Sequence, residues 1–335
     1  MNRALYPGEQ IRGERKFSCS IFPEILSMRL IGAFFKMIRL PNLIFIALTQ
    51  VLFQVCIFYP LYIGNIPYRD TRNFILLVLA SVFIAGAGYI INDYFDLNID
   101  MINKPGRIVV EKLIKRRWAI IWHWVLSFCG VVLGFYVGWK AGVIWLGIAN
   151  LGCVAALWFY STTFKKKLLA GNIIISLLTA WVVMVVGFVT HYRMITNIPY
   201  YGTLNASRLL RFTFLYAGFA FIICLVREVV KDIEDMAGDA KYGGRTMPIV
   251  WGVHVSKVFA GTWLTVLAAA LFIVFAYVLQ FKWWLTAAYC LLFVIVPLLY
   301  ILRKLFKAGT TREFNMLSTM IKLVMFTGIL SMVFF

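Results

Sequence analysis

Apolar runs of about twenty residues recur along this chain, and that recurrence limits its fold more than any other feature. Twenty residues of α-helix span the hydrocarbon of a bilayer. Lipid offers backbone N–H and C=O groups no partner, so such runs must satisfy their hydrogen bonds internally, as helices. The runs fall at roughly 41–60, 74–92, 118–138, 142–160, 169–190, 211–230, 258–279, 283–302 and 316–335. The sequence therefore predicts an all-α, multi-pass membrane bundle of about nine transmembrane helices. With 62% hydrophobic and 14% charged residues, a soluble domain of 335 residues is excluded. Only Gly138–Gly142 separates the third run from the fourth, which predicts an antiparallel hairpin. Residues 1–39 form a separate region: a polar tail without a signal-peptide pattern, then an amphipathic stretch over 24–39 carrying Arg29, Lys36 and Arg39. Residues 40–335 are read as one intramembrane domain.

The net charge of +19 invites a nucleic-acid reading, but its distribution argues against one. Lys and Arg sit mostly between the apolar runs. Counted on alternate sides of the nine runs, 26 fall on the side of residues 1–39 and 7 on the other. That bias places the N terminus in the cytoplasm and the C terminus outside the cell membrane. The six cysteines form no CxxC pair and five lie in apolar runs, as small buried hydrophobes do. His123, His191 and His254 share no ligand spacing.

The chain has only 14 acidic residues, and eight of them crowd into two short windows. The first ends the second run, in Asn92-Asp93-Tyr-Phe-Asp96-Leu-Asn-Ile-Asp100. On a helix Asn92, Asp96 and Asp100 stack on one face, with Asp93 on the next. The second ends the sixth run, where Asp232, Asp235 and Asp239 again share a face, near Glu228 and Glu234. Both windows follow even-numbered runs, so both belong on the cytoplasmic side. Two carboxylates about 4 Å apart repel by roughly 4 kcal/mol at an effective dielectric near 20. Such clusters require a neutralising cation, and an oxygen-only ligand set favours Mg2+. Metals between two such helix ends would grip a diphosphate that the carboxylates alone repel.

Cations lie on the same side. Lys104 and Arg107 follow the first window, Lys165–Lys167 end the fourth run, and Arg227, Lys231, Lys241 and Arg245 flank the second window. The positive-inside rule accounts for many of them, and an anionic substrate would use the same donors. Tyr160, beside Ser161 at the acidic side, is the aromatic best placed to steady a developing carbocation.

Asn92–Asp100 resembles the NDxxDxxxD motif of the UbiA superfamily of intramembrane prenyltransferases, and Asp235-Met-Ala-Gly-Asp239 resembles its DxxxD motif. Arg227–Asp239, Arg245-Thr-Met-Pro248, Tyr160-Ser161 and Gly171-Asn172 are most similar to the digeranylgeranylglyceryl-phosphate synthase branch. The resemblance implies a nine-helix UbiA-like bundle with a central cavity. It implies a prenyl diphosphate held through Mg2+ by Asn92, Asp96, Asp100, Asp235 and Asp239, helped by Asp93 and Asp232. Lys104, Arg107, Lys165 and Lys231 would contact diphosphate, and Ser161, Asn172, Arg227 and Arg245 would bind substrate. Its acceptor would be a lipid-soluble molecule in the membrane, geranylgeranylglyceryl phosphate first. Prenylation of an aromatic ring for quinone synthesis stands as the alternative, since Arg107 is followed by Ile108-Val-Val-Glu111 where the family often carries Arg-Pro. A cation transporter with acidic gates is a distant third, because its ionisable groups would sit nearer the bilayer midplane.

Overall fold

The computed structural model describes residues 30–62, 68–103, 105–106, 109–196 and 205–334. Among them nine helices are long and apolar enough to cross a membrane. They are α1 (Leu40–Leu61), α2 (Asp70–Asn103), α3 (Arg116–Ala141), α4 (Trp145–Thr162), α5 (Ala170–Thr196), α6 (Ala206–Lys241), α7 (Gly252–Leu279), α8 (Trp284–Lys307) and α9 (Thr311–Phe334). The hairpin between α3 and α4 turns as expected. Gly142 takes the left-handed φ of 74° and Val143 N donates to Gly138 O at 2.7 Å. The tail over residues 1–29 lies outside the described residues.

Two helices run on well past the ends that hydropathy gave them. α2 has 34 residues and α6 has 36, about 50 Å of helix each against roughly 30 Å of hydrocarbon. Hydropathy stops at residues 92 and 230, where polar residues begin. The i→i−4 hydrogen-bond ladder does not stop there, because polar side chains sustain a helix as well as apolar ones do. Both acidic windows therefore stand on continuous helix, not in loops.

α6 is the central post of the bundle, in contact with α2, α5, α7 and α9. One apolar core forms around Val226, Leu264, Leu298 and Ile321 from α6 to α9. A second forms around Phe53, Val186 and Leu209 from α1, α5 and α6. The outer faces carry exposed Phe128, Trp139, Ile273 and Leu285, which suits a lipid boundary. A two-residue parallel ladder, β1 (Lys167–Leu168) with β2 (Arg245–Thr246), ties the α4–α5 connection to the α6–α7 connection.

Before α1, residues 30–37 are helical. The chain turns at Arg39, whose φ of 52° is left-handed, and Pro41 then starts α1. Pro60 and Pro297 lack the N–H a helix needs, and each follows a π-helical turn, Phe53–Phe58 and Leu291–Ile295. Pro297 leaves the carbonyl of Phe293 without its i+4 donor. Thr327 Oγ1 of α9 replaces that donor at 2.7 Å, as a membrane interior requires. Thr327→Val removes it and should cost about 1–2 kcal/mol. The expected readout is a lowered midpoint of thermal unfolding in detergent; an unchanged midpoint would contradict this role.

Candidate active site

The C-terminal ends of α2 and α6 face one another across a cavity of about 810 Å3, within the size range of ligand pockets. Seven carboxylates line it: Asp93, Asp96 and Asp100 from α2, and Glu228, Asp232, Asp235 and Asp239 from α6. Deeper in, the wall turns apolar, with Phe45, Ile84, Leu157, Ile175, Leu178 and Val182. Along α2 the lining reaches from Asp96 to Ser81, about 22 Å of helix axis. The cavity is thus a long slot, ionic at one end and greasy along its length.

Asn103 holds the two acidic ends together. Its Nδ2 donates to Asp235 O at 2.9 Å, and its Oδ1 accepts from Gly238 N at 2.9 Å. A Cβ on Gly238 would stand 2.5 Å from that amide, so the clamp needs glycine there. The sequence hid this pair, because Asn103 follows the acidic motif without belonging to its spacing.

Each carboxylate must meet a cation or a donor, and most do. Lys165 Nζ is ion-paired with Asp96. It is delivered by the Phe164–Lys166 turn, which packs so tightly over Gly171 that a Cβ there would lie 2.7 Å from Lys165 Cα. Arg39 Nη2 meets Asp93 at 2.6 Å, with its guanidinium 5.2 Å from the centre of the Tyr89 ring. Arg227 and Lys231 both bind Glu228, at 2.9 and 3.0 Å. Asn172 Nδ2 donates to Asp232 Oδ2 at 2.7 Å, and Asn315 of α9 donates to Glu234 at 2.6 Å.

Among the described residues, no three His, Cys, Asp or Glu side chains converge as a ready-made ion cage. The donor set nonetheless suits a hard divalent ion bound with its substrate. Asn92 lines the cavity, and its Oδ1 is buried without a hydrogen-bond partner. Carboxylate oxygens stand on the facing helix. A cation between the two ends would complete its shell with oxygens of a bound diphosphate.

The profile of the UbiA prenyltransferase family matches residues 40–325. The chain belongs to that family. It is an integral, multi-pass membrane protein. Digeranylgeranylglyceryl phosphate synthase of Methanothermobacter thermautotrophicus is 35% identical over 193 residues, 57% of this chain and 61% of that protein. The enzyme of the same name from Pyrococcus abyssi is 30% identical over 223 residues, 66% of this chain and 70% of that one. The match to the Methanothermobacter and Pyrococcus horikoshii proteins spans 61% and 65% of their lengths, less than two thirds. Two solved structures share the fold. One, of a digeranylgeranylglyceryl phosphate synthase, has a TM-score of 0.58 at 23% identity and covers 91% of this chain and 99% of its own. The other, a UbiA homologue from Archaeoglobus fulgidus bound to DMAPP and Mg2+, has a TM-score of 0.52 at 14% identity, covering 89% and 98%.

Against the UbiA motifs, the structure brings Asn92, Asp93, Asp96, Asp100, Asp232, Asp235 and Asp239 into one cavity with Tyr160, Lys165, Arg227 and Lys231. Asn172 reaches that wall only through Asp232. Two expected residues stand elsewhere. Ser161 is buried at 1% exposure and donates back to Leu157 O at 2.9 Å within its own helix, away from the cavity lining. Arg245 is exposed on β2, its backbone paired with Lys167, and it is not part of the lining either. Lys104 and Arg107 lie outside the described residues. The sequence assigns no site role to Asn103 or Arg39, and it groups Glu228 with the second acidic window without showing that the flanking Arg227 and Lys231 both pair with it.

Gly238→Val should expel Asn103 and loosen both helix ends. Hydrogen exchange is expected to quicken at residues 96–103 and 235–241 while the rest of the bundle stays protected. Unaltered exchange at both ends would show that Asn103 is no clamp.

Proposed function

We propose that this protein transfers a prenyl group from an allylic prenyl diphosphate to geranylgeranylglyceryl phosphate, in a magnesium-dependent step of ether-lipid synthesis. The observation that carries the reading is the slot itself: two carboxylate-bearing helix ends at its mouth and, from Asn92 to Ser81 along α2, about 17 Å of largely apolar wall behind them. The diphosphate belongs at the ionic end and the isoprenoid tail along the apolar wall. The named relatives support the choice of acceptor, and the homologue with DMAPP and Mg2+ supports the donor class and the metal.

Magnesium, when bound, supplies the positive charge that neutralises both the carboxylates and the departing diphosphate. Asn92, Asp96 and Asp100 would hold it from α2, with Asp235 and Asp239 from α6; Asp93 and Asp232 would support them. Lys165, ion-paired with Asp96 here, would be free to pair with diphosphate oxygens once Asp96 served as a metal ligand. Lys231 would assist from α6. The bond between the allylic carbon and diphosphate breaks, and its electron pair leaves on the diphosphate. An acceptor hydroxyl oxygen supplies the pair for the new ether bond, and its proton departs with the diphosphate. Tyr160 lies on the wall where its ring would face the cationic carbon. The positive charge of the flanking loops supports a cytoplasmic location for this end of the bundle, with the C terminus outside.

The test offers labelled geranylgeranyl diphosphate with geranylgeranylglyceryl phosphate, 4-hydroxybenzoate or 1,4-dihydroxy-2-naphthoate, with and without EDTA. Label is expected in the glyceryl phosphate product alone, abolished by EDTA. Asp96→Ala and Asp235→Ala should each lower turnover at least about a hundredfold, as loss of a metal ligand does, with helical content retained. Label in an aromatic product would overturn the acceptor; full activity of folded Asp96→Ala would overturn the metal site.

A further inference from the structure

Lys322 is a cation on the cavity wall that the acidic motifs do not explain. It lies eleven residues into α9, well inside a span, where an ionisable side chain is costly and calls for a purpose. It lines the same cavity as the acidic motifs, yet its ammonium donates only to the neutral Asn42 Oδ1, at 2.7 Å. No carboxylate pairs with it among the described residues.

Its depth is set by its neighbours. Asn315 on α9 bonds Glu234 on α6. Seven residues, two helical turns, separate Asn315 from Lys322 and Glu234 from Arg227, so α6 and α9 bring Lys322 level with Arg227. Arg227 Nε is buried and donates to nothing. Arg39 enters this level from the turn before α1, three residues before Asn42. A band of positive charge thus crosses the cavity about two turns below Glu234, on the membrane side of Asp235 and Asp239. Part of that charge is matched by Asp93 and Glu228; that of Lys322 is not.

We propose that Lys322, together with Arg227 and Arg39, forms a second anion subsite that takes the phosphate monoester of a lipid acceptor. The proposal rests on the prenyl-transfer reading for its purpose, although the binding it asserts stands alone. The chemistry sets the separation. A donor diphosphate at the carboxylate end leaves its allylic carbon one step further down the slot. An acceptor whose hydroxyl is to reach that carbon, and whose phosphate lies a few bonds away on the same glycerol, needs an anion site just below the carboxylates. Lys322 stands there. Phe45 of α1 and Phe326 of α9, with ring centres 5.9 Å apart, and Met325 offer an apolar surface beside it for the acceptor's own tail. An aromatic acceptor without a phosphate would leave this lysine unmatched.

The experiment measures equilibrium binding to the full-length protein in detergent, in EDTA and without donor. The probes are geranylgeranylglyceryl phosphate and geranylgeranylglycerol, which lacks the phosphate. Wild type is expected to prefer the phosphate probe by about tenfold or more, the worth of a charge-assisted contact. Lys322→Gln should lose that preference, and Lys322→Arg should keep most of it. Binding of prenyl diphosphate with Mg2+ should be the same in all three proteins, which also shows that they are folded. Equal affinity of wild type for the two probes, or an undiminished preference in Lys322→Gln, overturns the subsite. A Lys322-dependent preference in a protein that transfers no prenyl group would uphold the subsite and sink only the transfer reading.

Discussion

The mutual repulsion of carboxylates at the C-terminal ends of α2 and α6 is the constraint on which the rest of this structure depends. A helix C-terminus already carries partial negative charge, so acidic residues there are doubly unfavourable. Seven carboxylates around one cavity would spread the two helices or take up protons. The fold counters this in two ways. Asn103 pins the backbone of one end to the other, and cations are brought in from three other places in the chain. Arg39 comes from the turn before α1, Lys165 from the α4–α5 connection, and Arg227 with Lys231 from one turn further back along α6.

These pairings offset much of the repulsion and, on the proposed function, would still let the site take a metal-bound diphosphate. Lys165 neutralises Asp96; in the proposed reaction it would yield to a divalent ion and turn to the diphosphate. Asn92 Oδ1 waits without a donor. Deeper still the wall is largely Ile84, Leu157, Ile175, Leu178 and Val182, which suits the proposed reaction, whose allylic cation must meet an acceptor before water.

Much of this was legible in the sequence, because lipid simplifies the folding problem. Runs of twenty apolar residues have one solution in a bilayer, so the nine spans could be read from hydropathy. The i, i+4, i+8 spacing of Asn92, Asp96 and Asp100 put them on one face once the segment was known to be helix. What stayed hidden were contacts between segments. Nothing in the string Phe164–Gly171 says that a turn packs over Gly171 to aim Lys165 at Asp96. Arg39 read as one charge in an amphipathic stretch, since its left-handed turn is visible only in the backbone. Hydropathy marks where lipid ends, not where a helix does, so it sets the ends of α2 and α6 short. Ser161 drew attention by its position beside Tyr160, yet its hydroxyl is satisfied within its own helix.

On the proposed function, the two acidic helix ends hold divalent cations only jointly with a diphosphate. Electron paramagnetic resonance of Mn2+ in the detergent-solubilised protein tests it, with and without a non-reactive prenyl thiodiphosphate. The account predicts weak Mn2+ binding to the protein alone and tight binding once the analogue is added, lost in Asp96→Ala and in Asp235→Ala. Tight Mn2+ binding without the analogue, or tight binding with it that survives both substitutions, would contradict the account.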